Sequence, residues 1–239
     1  MSRILSEDTT ALFEFFQNYT LSPQFQNEHF VLHLKTMHKK LYGYLLVINE
    51  LSFRNAELNL FSQVELNYLC ESVSDCMQSF FCWVNGAYKG SRLLLRSSIE
   101  TFVKAIVGQT DPTVFTEKSV YVIFDKAKLD KRLSLLQLGK AYADILHEEY
   151  ANLCAYTHSA NVSTMDKINS LNTLPKYEDH ESQEIVQQTI RLLDAILGFW
   201  LNGFPQLIFA MHQNNQRIYF EILPSTIKED IFSHRVGNS

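Results

Sequence analysis

Two stretches of this chain carry residues whose types and spacing could do chemistry. In "SRLLLRSSIETFVKAIVG", Arg92, Arg96 and Glu100 recur every four residues, so a helix places them a turn apart along one flank. In "HEEYANLCAYTHSA", His147, Cys154 and His158 fall together on a helical flank beside an apolar stripe. Guanidinium and imidazolium groups suit a phosphate, and a neighbouring carboxylate raises the basicity of a histidine. If the two helices are neighbours, Arg96, Glu100 and His158 share one half-buried pocket. The structural alternative is that Arg96 and Glu100 form an ordinary i,i+4 pair. A histidine in a last helical turn also gains from the helix dipole without any chemical role. Both readings stay open at this point.

Other chemistries find less support. His29 and His33 stand at i,i+4 with Glu28 beside them, and Asp144 with His147 has a carboxylate-x-x-His spacing. Helix-bundle metal sites need two such motifs and further carboxylates, and the second motif is missing, so no metal is expected. No Gly-rich run precedes a Lys and a Ser or Thr, and no Ser or Cys sits in a nucleophile elbow. No cofactor is implied.

The elements that must position these residues read as helices. Apolar residues at Phe30, Leu34, Met37, Leu41, Leu45 and Ile48 make one stripe of a long helix from about 26 to 53. A shorter helix is expected before it, from about 7 to 19, ended ahead of Ser22–Pro23. "FSQVE" is a capping box, Ser62 with Glu65 three residues on, opening a third helix through Trp83. "YKGS" reads as a joint before the fourth helix, which Gly108 and Pro112 end. A helical piece covers 114–129. The next helix spans about 140–159, with Tyr142, Leu146, Tyr150, Leu153 and Thr157 as its core stripe. A polar break over 161–180 precedes a helix that Pro205 stops. "QRIYFEIL" has the composition of a strand, and a last short helix follows Pro224 and Ser225.

Composition agrees with this reading. Only 8 Gly and 5 Pro occur in 239 residues, which leaves room for long helices. Hydrophobic residues make up 46% and charged ones 20%, ordinary for a folded domain of this size. The net charge of −5 supplies no global field for nucleic acid, and the run "DKAKLDKRLS" reads as a solvated face. The most apolar stretch, "LLDAILGFWLNGFPQLIFAM", contains Asp194, Asn202, Pro205 and Gln206, so it reads as a buried helix and not a bilayer span. No signal-peptide core opens the chain. Cys70, Cys76 and Cys82 recur every six residues, which scatters them over different helix faces, and they read as buried thiols. The expectation is an all-α helical bundle, cytoplasmic and without membrane contact. It forms one domain with a core over about 62–205 and N-terminal helices, 6–53, packed on it.

The pairing of "SRLLLRSSIETFVKAIVG" with "EEYANLCAYTHSA" resembles a group of prokaryotic helical proteins assigned to the HEPN superfamily. In them an LRS-x-x-E helix is followed by a helix ending in a Tyr-x-x-Leu-Ser-x-x-x-His type sequence. The resemblance covers residues 75–160. It implies a four-helix bundle, usually dimeric, found in toxin–antitoxin, abortive-infection and other antiphage systems. Active members are metal-independent ribonucleases using an Arg-x(4–6)-His motif and a polar residue of the preceding helix. By position, His158 matches that histidine and Glu100 that polar residue, whereas Asn152 and Leu153 stand where the arginine is expected. Either Arg96 supplies the cation from the other helix or the site is degenerate. Catalytic roles are thus expected for His158, Arg96 and Glu100, and binding contacts for Arg92, Asn152 and Tyr156. Partners would be a second copy or a protein encoded nearby. The rival expectation is a catalytically inactive scaffold or regulatory subunit that binds a partner protein.

Overall fold

The computed structural model describes residues 3–157 and 170–229, which form an all-α bundle. Nine helices carry labels here: α1 (Arg3–Gln17), α2 (Glu28–Leu58), α3 (Gln63–Val84), α4 (Tyr88–Gly108), α5 (Val120–Leu129), α6 (Tyr142–Thr157), α7 (Asp179–Gly203), α8 (Pro205–Ala210) and α9 (Gln213–Ile222). A further helical turn covers 225–229.

The capping box forms as its sequence requires, with the Ser62 backbone N–H donating to Glu65 Oε2 at 2.6 Å. Asn27 caps α2 through its side chain, which accepts from the Phe30 N–H. The α2 stripe buries Phe30, Met37, Leu41 and Ile48. Behind that stripe, α2 packs on α3 and α7, so it belongs to the main core.

The joint between α3 and α4 lies at Asn85–Ala87, not at "YKGS", because Tyr88, Lys89 and Gly90 already belong to α4. Gly86 makes the turn: its φ is +73°, and a Cβ there would come within 2.4 Å of the Lys176 carbonyl oxygen. Beyond the turn, small side chains let α3 and α4 pack closely, in the most extensive helix pair of the fold. Ser79 Oγ donates to the Ser91 carbonyl at 2.9 Å, and Ser72 Oγ donates to the Ser98 carbonyl at 2.9 Å. Tyr44 of α2 donates to Ser72 Oγ, tying α2 to this seam. Each hydroxyl is satisfied in a dry interface, where an unmade bond would cost about 1–3 kcal/mol.

On its other side α4 packs against α5, α6 and α7. Phe102 meets Phe199 and Trp200 edge-on with centroids at 5.4 and 6.3 Å, while Phe61 and Phe204 close the same aromatic cluster. The apolar half of α7 is wholly buried over Leu192, Leu193 and 195–201. Pro205 divides α7 from α8 as its missing N–H dictates. Among the described residues no helix is long and apolar enough to cross a membrane.

Several expectations are corrected. "QRIYFEIL" is not a strand: it lies in α9 and the residue after it, because Tyr219 and Ile222, three apart, both turn into the core. Burial on one helical face outweighs the β-rich composition. The strand pairing among the described residues lies elsewhere, in an antiparallel ladder of Leu136–Gln137 with Lys140–Ala141. Leu138 and Gly139, at φ +49° and +80°, turn it. The segment 114–129 is broken into a 3-10 helix, Pro112–Thr116, and α5, with Ser119 at the junction. α6 starts at Tyr142 and not at Lys140, since residue 140 pairs in the ladder. The three regularly spaced cysteines are not all buried; Cys76 is buried, Cys82 half-buried and Cys70 exposed, as their rotation around α3 requires.

Candidate functional site

α4 and α6 are neighbours, and the two motif-bearing helices therefore meet. The α6 stripe is buried as its spacing dictates, with Tyr142, Leu146, Tyr150 and Leu153 in the core. His147 and Cys154 lie half-buried on its flank. Two arginines of α4 reach two tyrosines of α6. Arg96 Nε donates to the Tyr150 hydroxyl at 2.9 Å, and its guanidinium carbon lies 5.1 Å from the Tyr150 ring centre. One turn earlier, the Arg92 guanidinium lies 3.8 Å from the centre of the Tyr156 ring.

The two arginines have different fates. Arg92 is buried, with its Nη2 3.1 Å from Glu184 Oε2 and its Nη1 3.7 Å from Glu181 Oε2. Tyr156 also donates to Glu184 Oε2, at 3.2 Å. Arg92 is thus saturated with charge from α7 and covered by an aromatic ring, an arrangement worth up to about 2 kcal/mol for the cation–π contact when desolvated. Arg96 has no carboxylate within ion-pair distance among the described residues. It opens instead onto a cavity of about 460 Å³ lined by Ser119, Tyr121, His147, Tyr150 and Cys154.

The Arg96 guanidinium gives this cavity a fixed cation. Although burial opposes the charge on Arg96, the Tyr150 hydroxyl, Cys154 and Glu100 together hold its pKa above the usual arginine value. Burial in turn pushes the Tyr150 phenol up, so it stays protonated. Ser119 stands at the N-terminal end of α5, where the helix dipole adds partial positive charge. The His147 ring stacks on Phe124 at 4.6 Å and 30°, which fixes its plane against the cavity wall. The side chains present offer a guanidinium, a phenol, an imidazole and a thiol, a set that binds anions and can move protons.

The expected trio is only partly assembled. Glu100 does not pair with Arg96; Lys104 takes it at 2.9 Å. Glu-to-Lys at i,i+4 is the favourable direction along a helix, so Glu100 is not available to orient a catalytic group directly. His158 follows Thr157 in the sequence and lies outside the described residues. Asn152 and Tyr156 line a different cleft, between α6 and α7, away from Arg96. The histidine that lines the Arg96 cavity is His147, whose sequence signal was its place on the same α6 flank.

The metal readings close differently. His29 faces Asp179 at 3.3 Å, and the Tyr177 hydroxyl lies 3.4 Å from His33 Nδ1 while donating to Asp179 at 2.8 Å. Burial and the Asp179 carboxylate push the Tyr177 phenol up to about 12. No group of three or more His, Cys, Asp or Glu among the described residues could hold a metal ion. No family model matches the chain, and no curated protein or solved structure is significantly similar to it.

Proposed function

We propose that this chain is a HEPN-like helical protein of a prokaryotic antiphage or toxin–antitoxin system that handles RNA phosphate at the α4–α5–α6 cavity. The observation that carries this reading is the Arg96 guanidinium, held by Tyr150 and facing the same cavity as His147. In the catalytic version the protein is a metal-independent endoribonuclease of the cytoplasm. A general base takes the proton of a ribose 2′-hydroxyl, the oxygen attacks the adjacent phosphorus, and the P–O5′ bond breaks. A general acid protonates the leaving O5′, so the products are a 2′,3′-cyclic phosphate and a 5′-hydroxyl. Arg96 stabilises the charge that grows on the phosphoryl oxygens. The resemblance assigns the acid/base role to His158; the imidazole that lines the cavity with Arg96 is His147, which offers an alternative acid/base group there.

The second reading is a non-catalytic scaffold that binds a protein partner, either another copy or a product of a neighbouring gene. It is favoured by two observations. Arg92 and Glu100, both assigned to the site, are committed to Glu184 and Lys104. Large apolar side chains also stand exposed, with Phe81 on α3 and Phe13 and Phe16 on α1 among them. Incubation of the protein with total RNA in excess chelator, alone and with the products of neighbouring genes, separates the two. Cleavage leaving cyclic phosphate ends supports the ribonuclease, and intact RNA in every combination leaves the scaffold.

A further inference from the structure

On the face of α6 opposite the Arg96 cavity, a second and smaller cleft of about 260 Å³ opens against α7, lined by Glu149, Asn152, Tyr156, Glu184, Gln188 and Arg191 among others. We propose that this cleft binds a small organic cation through a primary ammonium group, independently of the RNA reading.

Three observations converge on it. The first is an unspent buried carboxylate oxygen. The Glu149 side chain is only 2% exposed; its Oε1 accepts from Arg191, and its Oε2 has no hydrogen-bond partner. Burial pushes this carboxyl above the usual range, while Arg191 pulls it down and Asn152 beside it favours the charged form. A charged oxygen left without a donor in a dry site is costly, and a ligand N–H would satisfy it.

The second is a surplus of acceptors. Gln188 Oε1 is likewise buried without a partner, and it lines the same cleft as the Glu184 carboxylate. An ammonium carries three donors and no acceptor, which is the complement of Glu149, Glu184 and Gln188.

The third is charge. Around the cleft, Arg191 pairs with Glu149 and Glu148, and Arg92 pairs with Glu184 and more distantly with Glu181. Lys140 also meets Glu148, so the carboxylates of Glu148, Glu149, Glu181 and Glu184 stand against Arg92, Arg191 and Lys140. The cluster around the cleft therefore carries an excess of one carboxylate. The missing unit is a monovalent cationic head, and the absence among the described residues of a metal-competent cluster favours an organic one. A volume below the usual range for drug-sized ligands, about 300–1,000 Å³, limits the occupant to a few heavy atoms or to the end of a longer amine.

The test is calorimetric titration of the full chain with putrescine, with magnesium chloride and sodium succinate as separate arms. The expected result is one putrescine site per chain, no binding of succinate and no competition from magnesium at equal concentration. Glu149→Gln keeps the acceptor for Arg191 but removes the charge, and should weaken putrescine by about 10–100-fold, the worth of one charge-assisted hydrogen bond. Gln188→Met, further from the ion pairs, should weaken it by about threefold to tenfold. Unchanged affinity in both variants with circular dichroism and melting intact would overturn the proposal. So would no heat of binding from the wild type, or displacement of putrescine by an equal amount of magnesium.

Discussion

Arg96 donates through Nε to the Tyr150 hydroxyl at 2.9 Å across the α4–α6 seam, and this bond sets where the guanidinium points. Tyr150 is buried in the core stripe of α6, so the anchor is rigid, and among the described residues no carboxylate pairs with Arg96. Tyr150 thus acts as a positioning residue for Arg96.

Tyr150→Phe removes the acceptor while keeping the ring and its packing. It should cost about 1–2 kcal/mol of stability and lower RNA affinity or cleavage by about tenfold, through a guanidinium that is no longer fixed. Arg96→Lys should not rescue activity in either background, since an ammonium lacks the fork. Urea unfolding and filter binding of the two variants check both numbers.

A second expectation concerns pH. Asp75 is buried at the α3–α4 seam, its Oδ2 has no hydrogen-bond partner, and burial raises its pKa above 3.8 although Ser97 lowers it. The neutral acid is therefore the form the fold prefers. The stability it contributes is fully present below the unfolded value of 3.8 and is lost as the pH rises through the raised folded value. Asp75→Asn should melt higher than the wild type at pH 7, and the difference should shrink as the pH falls toward 3.8. A constant difference in melting temperature across that range would contradict the burial argument.

The thiols give a third. Burial pushes Cys76 up to about 12, and it lies 3.0 Å from Ser98 Oγ, so it is a packing residue with almost no thiolate at neutral pH. Cys70 is exposed on the same helix. Titration with a thiol reagent should label Cys70 in the native protein and Cys76 only on unfolding, as peptide mapping would report. Labelling of Cys76 at the rate of Cys70 would show that the α3–α4 seam opens.

Wherever one face meets one core, the structure was legible in the sequence. The α2 and α6 stripes and the Ser62–Glu65 box are local patterns, and each forms at its expected place. Legibility fails where the deciding partner is remote. Nothing near Arg92 reveals that Glu181 and Glu184 of α7 neutralise it, and nothing in the Arg96–Glu100 spacing shows that Tyr150 and Lys104 win those side chains. "QRIYFEIL" misleads for the same reason, because α9 is held helical by burial of Tyr219 and Ile222 in the core. His147 was visible as a flank residue, but its place beside Arg96 depends on how α5 closes the cavity through Phe124.

The most direct measurement of the central claim is the rate at which wild-type protein and Arg96→Ala cleave a single-stranded RNA in excess chelator, with the 2′-deoxy analogue as control. The account predicts cleavage of the RNA alone and a loss of about 10²–10³-fold in Arg96→Ala, the usual worth of a charge-stabilising donor, in a protein that stays folded but loses about 1–2 kcal/mol of stability with the Tyr150 bond. His147→Ala and His158→Ala, made separately, then show which imidazole serves the reaction. Cleavage by Arg96→Ala at the wild-type rate, or an RNA that the wild type leaves intact with and without its neighbours, would contradict it.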